Sequence, residues 1–136
     1  MTTTAPPIEA SDVPLRRAIR VDGALSTAAG VAILGAAGPV SAATGMSTAV
    51  TAAVGAGFAL CGATFLALAR AANVRPGGVT LAAGNAAFTV VAVVVAAVAA
   101  PPLTAAGVVS VLAVGAYTGV IAAAQYRGVR RMSAQV

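Results

Sequence analysis

Three carboxylates, one cysteine and no histidine are the chain's whole stock of strong metal-ligating or acid–base groups. Glu9 and Asp12 lie in a polar N-terminal stretch. Asp22 alone falls inside an apolar run, in "RRAIRVDGALSTAAG". Without histidine there is no bis-histidine haem, and one cysteine with three scattered acids offers no metal constellation. No nucleophile–base triad, phosphate loop or pair of facing carboxylates can be assembled. The chemistry left to these residues is binding, or the carriage of a proton or cation by Asp22. The sequence therefore predicts no enzyme, no cofactor and no metal.

Few other polar side chains accompany Asp22 in the apolar runs. Arg70 closes the second run, Asn85 stands near the start of the third, and Gln125 stands at the end of the fourth. Side chains lean toward the N-terminus of their own helix. Arg70 and Gln125 then lean back into the membrane, toward Asp22 and Asn85 respectively. The expected contacts are an Asp22–Arg70 ion pair and an Asn85–Gln125 hydrogen bond, each tying a helical hairpin together at its cytoplasmic level. Counting about 20 residues inward from Gly38 places Asp22 about one helical turn inside the boundary. A carboxylate is less costly there than at the midplane, and it is near the positive end of its helix. In the alternatives, Asp22 faces a cavity and binds a proton or cation, or faces lipid and snorkels to the interface.

The elements that must position these groups follow from composition. Of the 136 residues, 60% are hydrophobic and 8% charged. A soluble domain carries about 25% charged residues to cover its surface, so this chain is read as an integral membrane protein. Apolar runs at about 18–38, 48–70, 79–100 and 104–124 are each long enough to cross a bilayer core of about 30 Å. Residues 1–14, "MTTTAPPIEASDVP", are polar and without apolar period, which predicts a disordered cytoplasmic tail. "GPVSAATGMS", "RAANVRPGG" and "PPLT" make the turns, with Pro76, Gly77 and Gly78 expected to break the helix between spans two and three. The predicted fold is an all-α four-helix membrane bundle built from two tandem hairpins.

All eight basic residues are arginines, and none lies in the first or third turn. That bias predicts a multi-pass protein of the plasma membrane with both termini and the central loop cytoplasmic. Arg16, Arg17, Arg20, Tyr126, Arg127, Arg130 and Arg131 are expected as interfacial anchors. The net charge of +5 is assigned to lipid headgroups and not to nucleic acid, because the basic residues flank apolar spans without interleaved aromatics. Gly115 and Gly119 in "GAYTG" have the spacing for close helix approach, and Gly23, Thr27 and Gly30 present a small face on the first span. Tyr117 is expected to hydrogen-bond or pack within the bundle. Cys61 is read as a small apolar filler. "RRAIR" followed by an apolar run and "VSA" has the outline of a signal peptide, but the run exceeds a typical signal core.

Aligning "AAGPVSAAT" (36–44) with "AAPPLTAAG" (99–107) gives a shift that also carries Asp22 onto Asn85. The match predicts a 2+2 repeat in which both hairpins keep the same orientation, with a pseudo-twofold axis along the membrane normal. Together, "LRRAIRVDGALSTAAGVAILGAAGPVS", "AAGNAAFTVVA" and "AAAQYRGVRR" resemble a group of small four-helix integral membrane proteins of actinobacteria. The resemblance implies the fold and no particular activity. Small multidrug transporters share the length and helix count. This chain departs from them in a carboxylate near the interface, a fixed orientation and aromatics too few to line a drug site. The expected function is a non-catalytic accessory or assembly protein that binds the lipid bilayer, other membrane proteins in a larger complex, or its own copies. The alternative is a small transporter or channel with a polar site at Asp22 and Asn85.

Overall fold

A computed structural model describes residues 9–98 and 102–133. The described chain is all helical: α1 Glu9–Gly35, α2 Ala37–Thr44, α3 Thr48–Leu68, α4 Arg75–Val98 and α5 Ala105–Ser133. Four of these, α1 from Asp12 onward, α3, α4 and α5, are long and apolar enough to cross a membrane. Their outward faces agree with a lipid solvent: Leu60, Val90, Val98, Val109 and Val120 are all more than half exposed. Water would penalise such a surface, whereas acyl chains do not.

Several boundaries differ from those expected. Residues 9–14 of the expected tail are helical, with Pro14 inside α1 unable to donate to the Ala10 carbonyl. The remainder of that tail, 1–8, lies outside the described residues. The first turn is itself partly helical, since α2 occupies most of "GPVSAATGMS". Its Pro39 falls in the first turn, where a missing N–H costs nothing. The expected breaker Pro76–Gly78 instead forms the first turn of α4, for the same reason, and Asn73 caps it by accepting from Arg75 N at 3.2 Å. Residues 99–101, where the third span was expected to close, lie outside the described residues. The last helix continues through "QYRGVRR" to Ser133.

Two hairpins, α1 with α3 and α4 with α5, make the largest interfaces, and α1 against α5 joins them. The α1–α3 seam is the small face expected on the first span. A Cβ on Gly30 would fall on the backbone of Ala59 and Gly55, and one on Gly62 on the backbone of Thr27. Only glycine permits that approach. Gly115 serves α5 in the same way against Ala92 of α4, while Gly119 meets Thr89 at ordinary contact distance.

Both ends are tied. At one end, Gly45 takes φ 82° to cap α2, and its N–H donates to Ser41 O at 2.9 Å. There Thr104 caps α5, accepting from Gly107 N at 3.0 Å. Its own N–H and hydroxyl donate to Thr44 O and Ala43 O at 3.0 and 2.6 Å. At the arginine-bearing end, Leu15, Ile19, Ala69, Val74 and Val129 form a buried apolar cluster, with Phe65, Leu81 and Met132 against it.

One packing asymmetry positions the candidate site. A strict twofold relation between the hairpins would give α3–α4 the same packing as α1–α5. Instead α1 and α5 close on each other, while α3 and α4 scarcely meet.

Candidate functional site

The inward face of α1 runs Leu15, Ile19, Asp22, Ser26, a four–three–four helical spacing in which every member is buried. Asp22, 1% exposed, therefore takes a core position because of its phase on the helix. Asn85 and Thr89 come from one face of α4, and Thr118 and Gln125 from one face of α5, again a turn or two apart.

Asp22 is the hub of the polar contacts these helices make. Asn85 Nδ2 and Gln125 Nε2 donate to its Oδ2 at 2.8 and 3.0 Å. Ser26 Oγ and Tyr117 Oη donate to its Oδ1 at longer range, 3.3 and 3.4 Å. Asn85 Nδ2 also donates to Gln125 Oε1 at 3.1 Å, which closes a triangle of three helices. An ionised carboxylate is acceptor-only and suits an environment in which both oxygens meet donors. Deeper along the same seam, Thr89 Oγ1, with one proton to give, lies within hydrogen-bond distance of Asn85 O (2.9 Å), Gly115 O (3.1 Å) and Thr118 Oγ1 (2.9 Å). The ladder ends where Gly115 meets the apolar Ala92. No buried polar side-chain atom among the described residues lacks a partner.

The expected Asp22–Arg70 pair does not form. Arg70 is exposed, and the one ion pair among the described residues is Arg16–Asp12 at 2.7 Å. The reason is rotational: α3 packs on the Gly23–Thr27–Gly30 face of α1, and Gly23 is displaced from Asp22 by about 100° around the axis. Arg70, at the end of α3, thus faces the wrong side of α1. The residue that ties α3 at this level is Arg16, whose Nη1 donates to Ala69 O and Ala71 O at 3.0 and 2.8 Å. It caps carbonyls that a helix end leaves without partners. Asn85 and Gln125 do meet, but as two corners of the Asp22 cluster.

Arg17, Arg20, Tyr126, Arg127, Arg130 and Arg131 are all exposed, with the Arg130 guanidinium 6.0 Å from the centre of the Tyr126 ring. Ser26, Tyr117, Thr89 and Thr118 were not expected in the site. The signal for three of them was helical register: Ser26 is four residues after Asp22, Thr89 four after Asn85, and Thr118 seven before Gln125.

Where α3 and α4 stand apart, a cleft of about 550 Å³ opens along the side of the bundle. The chain contains three phenylalanines, and all of them, Phe58, Phe65 and Phe88, line this one cleft. Few as the aromatics are, folding gathers the three phenylalanines along this one cleft. Phe58 and Phe88 meet edge to face at 5.9 Å across the gap. Ser26, Asn85 and Thr118 give the cleft its polar floor, and the exposed Cys61 is on its wall. Asn85 Oδ1 accepts no hydrogen bond from the described residues and is not sealed off. The arrangement can hold an elongated apolar molecule with one polar end against Asn85. No group of three or more metal-ligating side chains occurs among the described residues.

The chain matches no family model, no curated protein and no solved structure.

Proposed function

We propose that the protein is a non-catalytic accessory protein of the plasma membrane that holds one amphiphilic molecule of the bilayer in the α3–α4 cleft. The observation that carries this reading is the convergence of every phenylalanine of the chain on a cleft whose floor is polar and otherwise satisfied. A cleft left only by loose packing would have no reason to concentrate the largest apolar side chains. The arginine bias puts both termini and the α3–α4 loop on the cytoplasmic side. Phe65 and Leu81 lie near the arginine-bearing ends of α3 and α4, so the ligand enters from the cytoplasmic leaflet. Asp22 and Asn85 are read as the same position in two copies of a duplicated hairpin. Their meeting at 2.8 Å is what a position on a pseudo-twofold axis requires.

Transport of a proton or cation through Asp22 and Asn85 is the less favoured reading. It needs a polar path across the bilayer, whereas the seam's groups bond one another and stop at Ala92.

Native mass spectrometry from lipid nanodiscs tests the binding reading. The expected result is one retained amphiphile per chain in the wild type and none in Gly84→Phe. Gly84 lines the cleft and a Cβ there meets nothing within 4 Å, so the new ring fills the cleft without disturbing a helix contact. A wild-type protein free of bound amphiphile, or equal retention by the variant, would refute the proposal.

A further inference from the structure

We infer that the cleft selects amphiphiles with a cationic head, a lipophilic ammonium whose N–H groups dock at Asn85 over the buried Asp22 carboxylate. The inference rests on the binding reading above and adds the charge and chemistry of the ligand.

Four observations point the same way. First, the donors to Asp22 are Asn85, Gln125, Ser26 and Tyr117, all neutral. Hydrogen bonds from neutral groups spread a carboxylate's charge but leave its field in a low-dielectric interior uncancelled. Second, Asn85 carries that field outward. Its amide N–H₂ is turned to Asp22 and Gln125, so the negative end of the amide dipole, Oδ1, is the end left unbonded. The amide acceptor on the cleft floor is thus backed by the Asp22 carboxyl group. Third, no arginine lines the cleft, so an anionic head would meet an acceptor and a carboxylate with nothing to attract it. Fourth, the walls are the faces and edges of Phe58, Phe65 and Phe88, which suit an apolar body and add cation–π attraction for a nearby ammonium. An alcohol head would satisfy Asn85 Oδ1 as a hydrogen-bond donor but gain nothing from the charge behind it.

Cys61 provides the measurement, because it is the chain's one thiol and lies on the cleft wall. In phosphatidylcholine nanodiscs, the rate of Cys61 alkylation by a maleimide is followed as amphiphiles of one chain length are added. Dodecylammonium is expected to protect at concentrations about tenfold or more below those of dodecanol, and dodecanoate is expected to protect least. Asp22→Asn keeps the shape of the side chain and should bring dodecylammonium and dodecanol to similar protecting concentrations, with both still protecting. Gly84→Phe is expected to remove protection by all three.

Equal protection by dodecylammonium and dodecanol in the wild type would overturn the inference and leave the binding reading standing. So would an ammonium preference that survives in Asp22→Asn. Failure of every amphiphile to protect would sink both. The wild-type order of the three heads decides the matter even where a variant is poorly folded.

Discussion

Replacing Gln125 with leucine isolates what the polar triangle contributes. Gln125 is fully buried and makes two interhelical hydrogen bonds, donating to Asp22 Oδ2 at 3.0 Å and accepting from Asn85 Nδ2 at 3.1 Å. A hydrogen bond to a charged group is worth about 1.5–3 kcal/mol. A neutral interhelical bond within a membrane averages about 0.6 kcal/mol. Leucine has a similar reach but no donor or acceptor, so the expected loss is about 2–3.5 kcal/mol from the sum of these two terms. In an Asp22→Asn background both bonds are neutral, and the same substitution should cost about 1–1.5 kcal/mol. The coupling energy between positions 22 and 125 is then about 1–2 kcal/mol by difference. Reversible unfolding of the four proteins in mixed micelles, or steric trapping in bicelles, measures the cycle. A Gln125→Leu cost below about 0.5 kcal/mol, or no coupling to position 22, would refute the view that Gln125 stabilises a charged Asp22.

Three further outcomes follow from the packing. Arg16→Ala leaves the Ala69 and Ala71 carbonyls without their guanidinium partner and should cost about 1–3 kcal/mol, whereas Arg70→Ala, at an exposed position, should stay within about 0.5 kcal/mol; unfolding in the same micelles separates the two. Gly30→Val drives a side chain into the α3 backbone and should cost at least about 2 kcal/mol, with cysteine crosslinking between α1 and α3 reporting their separation. Gly35→Ala, where a Cβ meets nothing within 4 Å, should be neutral to stabilising by up to about 1 kcal/mol, as read from the unfolding midpoint.

Much of the architecture was legible in the residues. Apolar runs bounded by arginines predicted four long helices, and four are found, within a few residues at most ends. Some of the boundaries that moved did so at prolines, while α5 ran on past its expected end to Ser133. Pro76 was read as a breaker and Pro39 as part of a turn, but both stand in first turns, where a helix has no use for their missing N–H. The polar members Asp22, Asn85 and Gln125 were also legible, since a strongly polar side chain in an apolar run needs a partner. Which partner was not. Asp22 was expected to meet Arg70 from depth and lean alone, but depth leaves the rotation of each helix free.

Sequence by itself determined what has to leave water and which few side chains then need company, because transfer free energy is a property of each residue and adds along the chain. Tertiary structure decided the rest through rotation and spacing of the helices. The glycines of α1 and α3 let those helices approach on the Gly23–Thr27–Gly30 face, which turned Asp22 away from Arg70 and toward α4 and α5. The same packing left α3 and α4 apart, so phenylalanines from two helices came to line one cleft beside that carboxylate. A difference of about 100° around one helix axis separates an ion pair at the membrane surface from a buried three-helix cluster. That angle is fixed by contacts between helices, and no single run of sequence contains it.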